Sequence, residues 1–114
     1  MKPIECMLKA VAFVALPTLA TANFRDGNDL YEDCQQHPPS ALEFVVGVTD
    51  MMLDITRFGN ANMFGICLPE NATAGQLRDI ACQHLEAEPG DRHYTGATQV
   101  IAALVDEFPC PRSP

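Results

Sequence analysis

Residues 66–111, ICLPENATAGQLRDIACQHLEAEPGDRHYTGATQVIAALVDEFPCP, hold two helix patterns between a Cys-Leu-Pro start and a Phe-Pro-Cys-Pro end. Thr73 with Gln76 three residues later is a capping box, in which each side chain takes an amide proton the helix leaves unpaired. From there Leu77, Ile80, Ala81, His84 and Leu85 recur at helical spacing until Pro89-Gly90 stops the run. Thr95 caps the second helix. Its stripe of Ala97, Val100, Ile101, Leu104, Val105 and Phe108 is the cleanest period in the chain, and Pro109 breaks it. Cys67 and Cys110 stand at the two ends, placed to clasp the pair. Closing that loop is worth about 4 kcal/mol on the chain-entropy estimate.

Upstream, Ser40-Ala41-Leu42-Glu43 reads as a capping box that starts a long helix ending at Phe58. Leu42, Val45, Val46, Thr49, Met52, Leu53 and Thr56 form its stripe. Phe44, Val48, Met51 and Ile55 widen it until only Glu43, Asp50, Asp54 and Arg57 mark a wet side. A helix this apolar sits at the centre of a small bundle or lends a second face to a partner chain. Met51, Met52 and Met63 read as core filling. Asn28 or Asp29 caps a shorter helix through Leu30, Tyr31 and Cys34, which His37-Pro38-Pro39 ends. Asp26-Gly27-Asn28-Asp29 lacks the spacing and closing Glu of a calcium loop and reads as a turn. Between Gly59 and Gly65 runs one irregular loop, with Phe64 expected to tuck into the core. No alternating strand pattern follows residue 22. The expected fold is all-α, a small disulfide-linked bundle of about four helices.

Met1 to Ala22 has the layout of a cleaved secretory signal: Lys2 and Lys9, an apolar run from Ala10 to Leu19, then Ala20-Thr21-Ala22. The run is too short to span a bilayer. The organisation expected is a signal peptide over 1–22 and one helical domain over 23–114. From Asn23 onward fourteen acidic residues face five arginines, so the net charge moves from −8 to −9. Such a surface repels nucleic acid and anionic lipid and attracts a basic partner. Cys34, Cys67, Cys82 and Cys110 remain, an even count that reads as two disulfides in an oxidising compartment, with three pairings open. Cys82 lies well round from the apolar stripe of its helix, so a partner for it comes from a flanking element. Cys34 is the natural candidate.

The residues that could carry catalysis do not assemble into a site. Cys82 and His84 are two apart on a helix and point to different faces. No C-x-x-C or H-x-x-x-H pair offers zinc spacing, and no Gly-rich phosphate loop occurs. His84 reads as a core histidine and His93 as a loop hydrogen-bonder. The reading is a non-enzymatic exported domain with no cofactor and no metal.

Gly27-Asn28-Asp29-Leu30 followed by Cys34, then Val46-Gly47-Val48-Thr49-Asp50, resembles the start of the Rap/Tai family of type VI secretion immunity proteins. Ile66-Cys67-Leu68-Pro69-Glu70, Thr73-Ala74-Gly75-Gln76-Leu77, Arg92-His93 and Ala103-Leu104 before Phe108-Pro109-Cys110-Pro111 continue the likeness across the mature chain. The resemblance implies a small all-helical periplasmic protein, often a homodimer. It would bind an amidase effector that cuts peptidoglycan peptides and would inhibit it by occlusion. One departure matters. Similar chains carry a cysteine at the position of Ala41, which is absent here, whereas Cys82 is present. That excludes a short-range bridge from Cys34 and makes Cys34–Cys82 the expected pair beside Cys67–Cys110.

Two irregular regions are expected to contact the effector: the loop residues Asn60, Asn62, Met63 and Phe64, and the corner residues Glu86, Glu88, Asp91 and Arg92. The alternative is a periplasmic chaperone-like or general binding protein without a dedicated toxin, its apolar long helix exposed when carboxylates are protonated.

Overall fold

Asp26 starts the first helix. Its carboxylate accepts a hydrogen bond from the Asp29 amide at 2.8 Å, and the Asp29 carboxylate accepts one from the Asp26 amide at 3.2 Å. This capping box opens α1, Gly27–Gln36. The stretch expected to be a turn capped at Asn28 or Asp29 is therefore already helix, because Asp at the cap and Asp at N3 serve each other. The computed structural model describes residues 24–59 and 63–112. The expected export segment, Asn60 and Asn62 lie outside them.

The second helix, α2, runs Pro38–Phe58 and begins two residues before the expected Ser40 cap. His37 is its N-cap residue without a side-chain cap bond, and Pro38 stands in the first turn. Proline is tolerated there because its missing N–H would have had no partner. His37-Pro38-Pro39 thus ends one helix and starts the next. α3 spans Ala74–Ala87 behind the expected Thr73/Gln76 box, with bonds of 3.2 and 3.0 Å. A short 3₁₀ turn, Pro89–Asp91, follows, and α4 runs Gly96–Glu107 from the Thr95 cap. These four helices, without a strand among the described residues, make the small all-α bundle that the periodicity implies.

Leu30 from α1, Val45 from α2, Leu85 from α3, and Val100 and Leu104 from α4 are fully buried at the centre. Ala41, Met52, Leu77, Ala81 and Ile66 complete that core. The buried line of α2 is Ala41, Val45, Thr49 and Met52. Thr49 is tolerated there because its hydroxyl donates to the Val45 carbonyl at 2.7 Å. Leu53, Met51 and Met63 are 51%, 62% and 70% exposed. The core-filling expectation therefore holds for Met52 alone among the three methionines. His84 is half-buried on the edge of the stripe rather than in the core.

Both ends of α4 are tied down. At its start an antiparallel bridge joins Asp26 and Thr95, with Gly27 donating to the Tyr94 carbonyl and Gly96 to the Arg25 carbonyl, each at 2.8 Å. At its end Ile66 and Pro109 form a second bridge, with Cys67 donating to the Phe108 carbonyl at 2.8 Å. The Cys67–Cys110 disulfide lies beside that bridge, and Cys34–Cys82 joins α1 to α3. Both expected pairings are present. Each closes a loop of more than forty residues and is worth about 4 kcal/mol in the chain-entropy model.

Candidate functional site

Two surfaces leave side chains available for a partner. The first is an open apolar groove between α2 and α4, about 460 Å³ in volume. Phe44, Gly47, Val48 and Met51 of α2 form one wall, Ala97 and Ile101 of α4 the other. Phe64 closes one part of it and also packs on the core, as expected for that residue. Met63, next to it, points outward at 70% exposure. Glu43 stands on the rim.

This groove follows from how α4 is rotated. The strict stripe would bury Ala97 and Ile101 with Val100 and Leu104. Instead the most buried line includes Gly96, Gln99, Val100, Ala103 and Leu104, with Ala97 and Ile101 half-buried at the groove. Gln99 is 3% exposed, and its Nε2 donates to the Asp91 carbonyl at 2.8 Å. That bond fixes the rotation and ties α4 to the 3₁₀ turn. A polar residue inside an apolar period carries no visible sign of which way it faces, so Gln99 was not legible as an anchor. Gly47 could have been noticed, because a glycine inside a helical pattern lowers stability and asks for a packing reason.

The second surface is the corner after α3. Glu86, Glu88 and Asp91 are exposed, and among the described residues no hydrogen bond or ion pair engages their carboxylates. Arg92 differs from its neighbours. Its Nε donates to the Leu85 carbonyl at 2.6 Å and its Nη2 to the Glu86 carbonyl at 3.3 Å, which closes the end of α3. The same guanidinium lies over the Tyr31 ring. Arg92 therefore positions the corner, and the three acids are what it presents. His93 stacks near Tyr94, ring centres 4.1 Å apart.

The electrostatics are one-sided. Arg25 pairs with Asp33 and faces the Phe44 ring at 5.6 Å, Arg78 pairs with Asp79, and Arg92 is held inside the fold. Three of the five arginines past residue 22 are thus engaged within the chain, while most carboxylates face water. Among the described residues no group of three His, Cys, Asp or Glu side chains could hold a metal. Both cysteine pairs there are oxidised. No described helix is long and apolar enough to cross a membrane.

A family model described as Rap1a immunity proteins matches residues 26–110, from the cap of α1 to the last cysteine. The chain belongs to that family. Its matched span takes in all four helices and both disulfides. Searches of curated proteins and of solved structures found no match. Membership implies a role in immunity to a type VI effector, carried out by binding a cognate effector protein. The family resemblance drawn from the ordered motifs is therefore shown.

Proposed function

We propose that this Rap1a family member is a periplasmic immunity protein that binds and blocks a peptidoglycan amidase effector, protecting the cell that makes it. The observation that carries the reading is the family match over 26–110, which coincides with the disulfide-stapled bundle. Two disulfides accord with an oxidising compartment. Residues 1–22 are read as the signal peptide that delivers the chain there, cleaved near Ala22. The contacts proposed are the loop residues Asn60, Asn62, Met63 and Phe64 and the acids Glu86, Glu88 and Asp91, presented by Arg92. Occlusion suits this geometry: a rigid acidic bundle with exposed apolar tips plugs a basic cleft without chemistry of its own. A homodimer, implied by the family likeness, is part of the reading, and a light-scattering mass of one chain would contradict it.

The test is co-expression with a periplasmic amidase effector from the same gene neighbourhood. Rescue of the cells, and a one-to-one complex of the purified proteins at neutral pH, are the expected results. Lysis despite full expression of the partner defeats the amidase reading. Exposed Met51, Leu53 and Phe58 favour the chaperone-like alternative, which would show instead as promiscuous client binding confined to low pH.

A further inference from the structure

The groove between α2 and α4 shares only Phe64 with the proposed loop and corner contacts, and has a shape and a charge pattern of its own. Phe44, Gly47, Met51 and Phe58 fall at i, i+3, i+7 and i+14, the spacing of a seam that receives another helix. Phe44 is half-buried, Met51 is 62% exposed and Phe58, beyond the residues that line the groove, 82%, so the seam opens toward the C-terminal half of α2. Gly47 is its low point. A Cβ built there would meet nothing within 4 Å, so among the described residues no group uses the space that the glycine leaves. A glycine inside a helix lowers stability relative to alanine, and among the described residues no contact compensates. A helix crossing at Gly47 would use it, because side-chain size at the crossing sets how closely two axes approach.

Charge decides what crosses. Glu43, Asp50 and Asp54, at i, i+7 and i+11, are exposed along the edge of α2 beside the seam. Among the described residues no ion pair engages them. A second copy of the chain would bring the same carboxylates and the same negative net charge to this edge. A helix with Lys or Arg along its flank would neutralise them instead.

Resting on the immunity reading above, we propose that this groove seats one helical segment of the effector, apolar on the face that meets Met51 and Phe64 and basic along the edge that meets Glu43, Asp50 and Asp54. Met51 suits the role because an unbranched thioether side chain adapts its shape to the incoming surface.

The probes are two synthetic amphipathic helices of about fourteen residues, long enough to cover the groove, with one apolar face in common and either Lys or Glu along its flank. Titrated into the oxidised protein, the Lys peptide is expected to bind about tenfold or more tighter than the Glu peptide, and to weaken with added salt. Gly47→Leu abolishes that binding, and Asp50→Asn with Asp54→Asn weakens the Lys peptide only. Gly47→Ala serves as the folding control: it raises the melting temperature while weakening the Lys peptide. Equal binding of both peptides, or binding of neither, overturns the proposal. So does a dimer that Gly47→Leu dissociates while neither peptide binds, which assigns the face to a second copy.

The immunity assay separates the two readings. Protection by the wild type and its loss in folded Gly47→Leu support the groove as the effector's seat. Protection by both overturns the groove and leaves immunity standing. No protection by the wild type overturns the immunity reading and, with it, the effector as the occupant; the peptide titration then decides whether the groove takes a basic amphipathic helix at all.

Discussion

The guanidinium carbon of Arg92 lies 3.7 Å from the centre of the Tyr31 ring while its nitrogens hold the last carbonyls of α3. One side chain thus joins the first helix to the end of the third. Arg92→Ala removes a charge-assisted helix cap and a cation–π contact together, and is expected to cost about 1–3 kcal/mol. For a domain of this size that is a fall of about 4–8 °C per kcal/mol in a thermal melt followed by circular dichroism. Arg92→Lys recovers part of it, because an ammonium can meet one carbonyl but cannot lie flat on the ring. A melt unchanged by either substitution would show that the corner does not depend on this contact.

Gly27 faces the backbone of the same residue. A Cβ at Gly27 would stand 2.7 Å from the Arg92 carbonyl oxygen and 2.8 Å from its Cα. Neither atom can move aside without breaking the bonds that the Gly27 and Asn28 amides make to Tyr94 and Arg92. Gly27→Ala is therefore expected to destabilise by about 1–3 kcal/mol, although alanine is the better helix former. Urea unfolding measures it, and a gain in stability would contradict the close approach.

The two disulfides make separable contributions. Cys82→Ser and Cys67→Ser are each expected to lower stability by about 2–4 kcal/mol in the oxidised protein. Non-reducing peptide mapping should return the pairs Cys34–Cys82 and Cys67–Cys110. Any other pairing, or a free thiol at Cys34 or Cys82, contradicts the architecture. Adding reductant to the wild type should lower its melting temperature further than either single substitution does.

At the corner, Glu88→Lys with Asp91→Lys should weaken effector binding while leaving the melt nearly unchanged, since both side chains are exposed and unengaged. The loss should fall mainly on the association rate and shrink as salt is raised. Undiminished protection by this variant argues against the corner as a contact.

Much of the bundle was readable from the chain because its punctuation is local. Thr73 with Gln76, Thr95, Gly59 and Pro109 act within a few residues, and each sits where its chemistry places it. The misreadings also have local causes. Ser40 and Glu43 satisfy the same capping pattern as Thr73 and Gln76, yet Pro38 opens the helix first, since two prolines in the opening turn lose no backbone bond. The direction in which α4 faces was not readable. It depends on Gln99 reaching the Asp91 carbonyl, a contact across the connecting loop that no periodicity encodes. The groove is hidden in the sequence for the same cause, because its second wall exists only with α4 so rotated. Arg92 was legible as a corner residue but not as its anchor, for the same reason: its partners Tyr31 and Leu85 lie on two different helices.

The pairing of Asp26 with Thr95 sets the order in which the protein can be completed. The Asp26–Asp29 box caps the first helix locally, but the Gly27 and Asn28 amides find their acceptors on Tyr94 and Arg92, just before the last helix, so a shorter chain leaves that end incomplete. A chain that stops short of Tyr94 lacks the Tyr94 carbonyl and the Gly96 amide, which meet Gly27 and Arg25 at the start of the first helix. On the export reading proposed above, that closure becomes available only once the last helix has followed the first across the membrane.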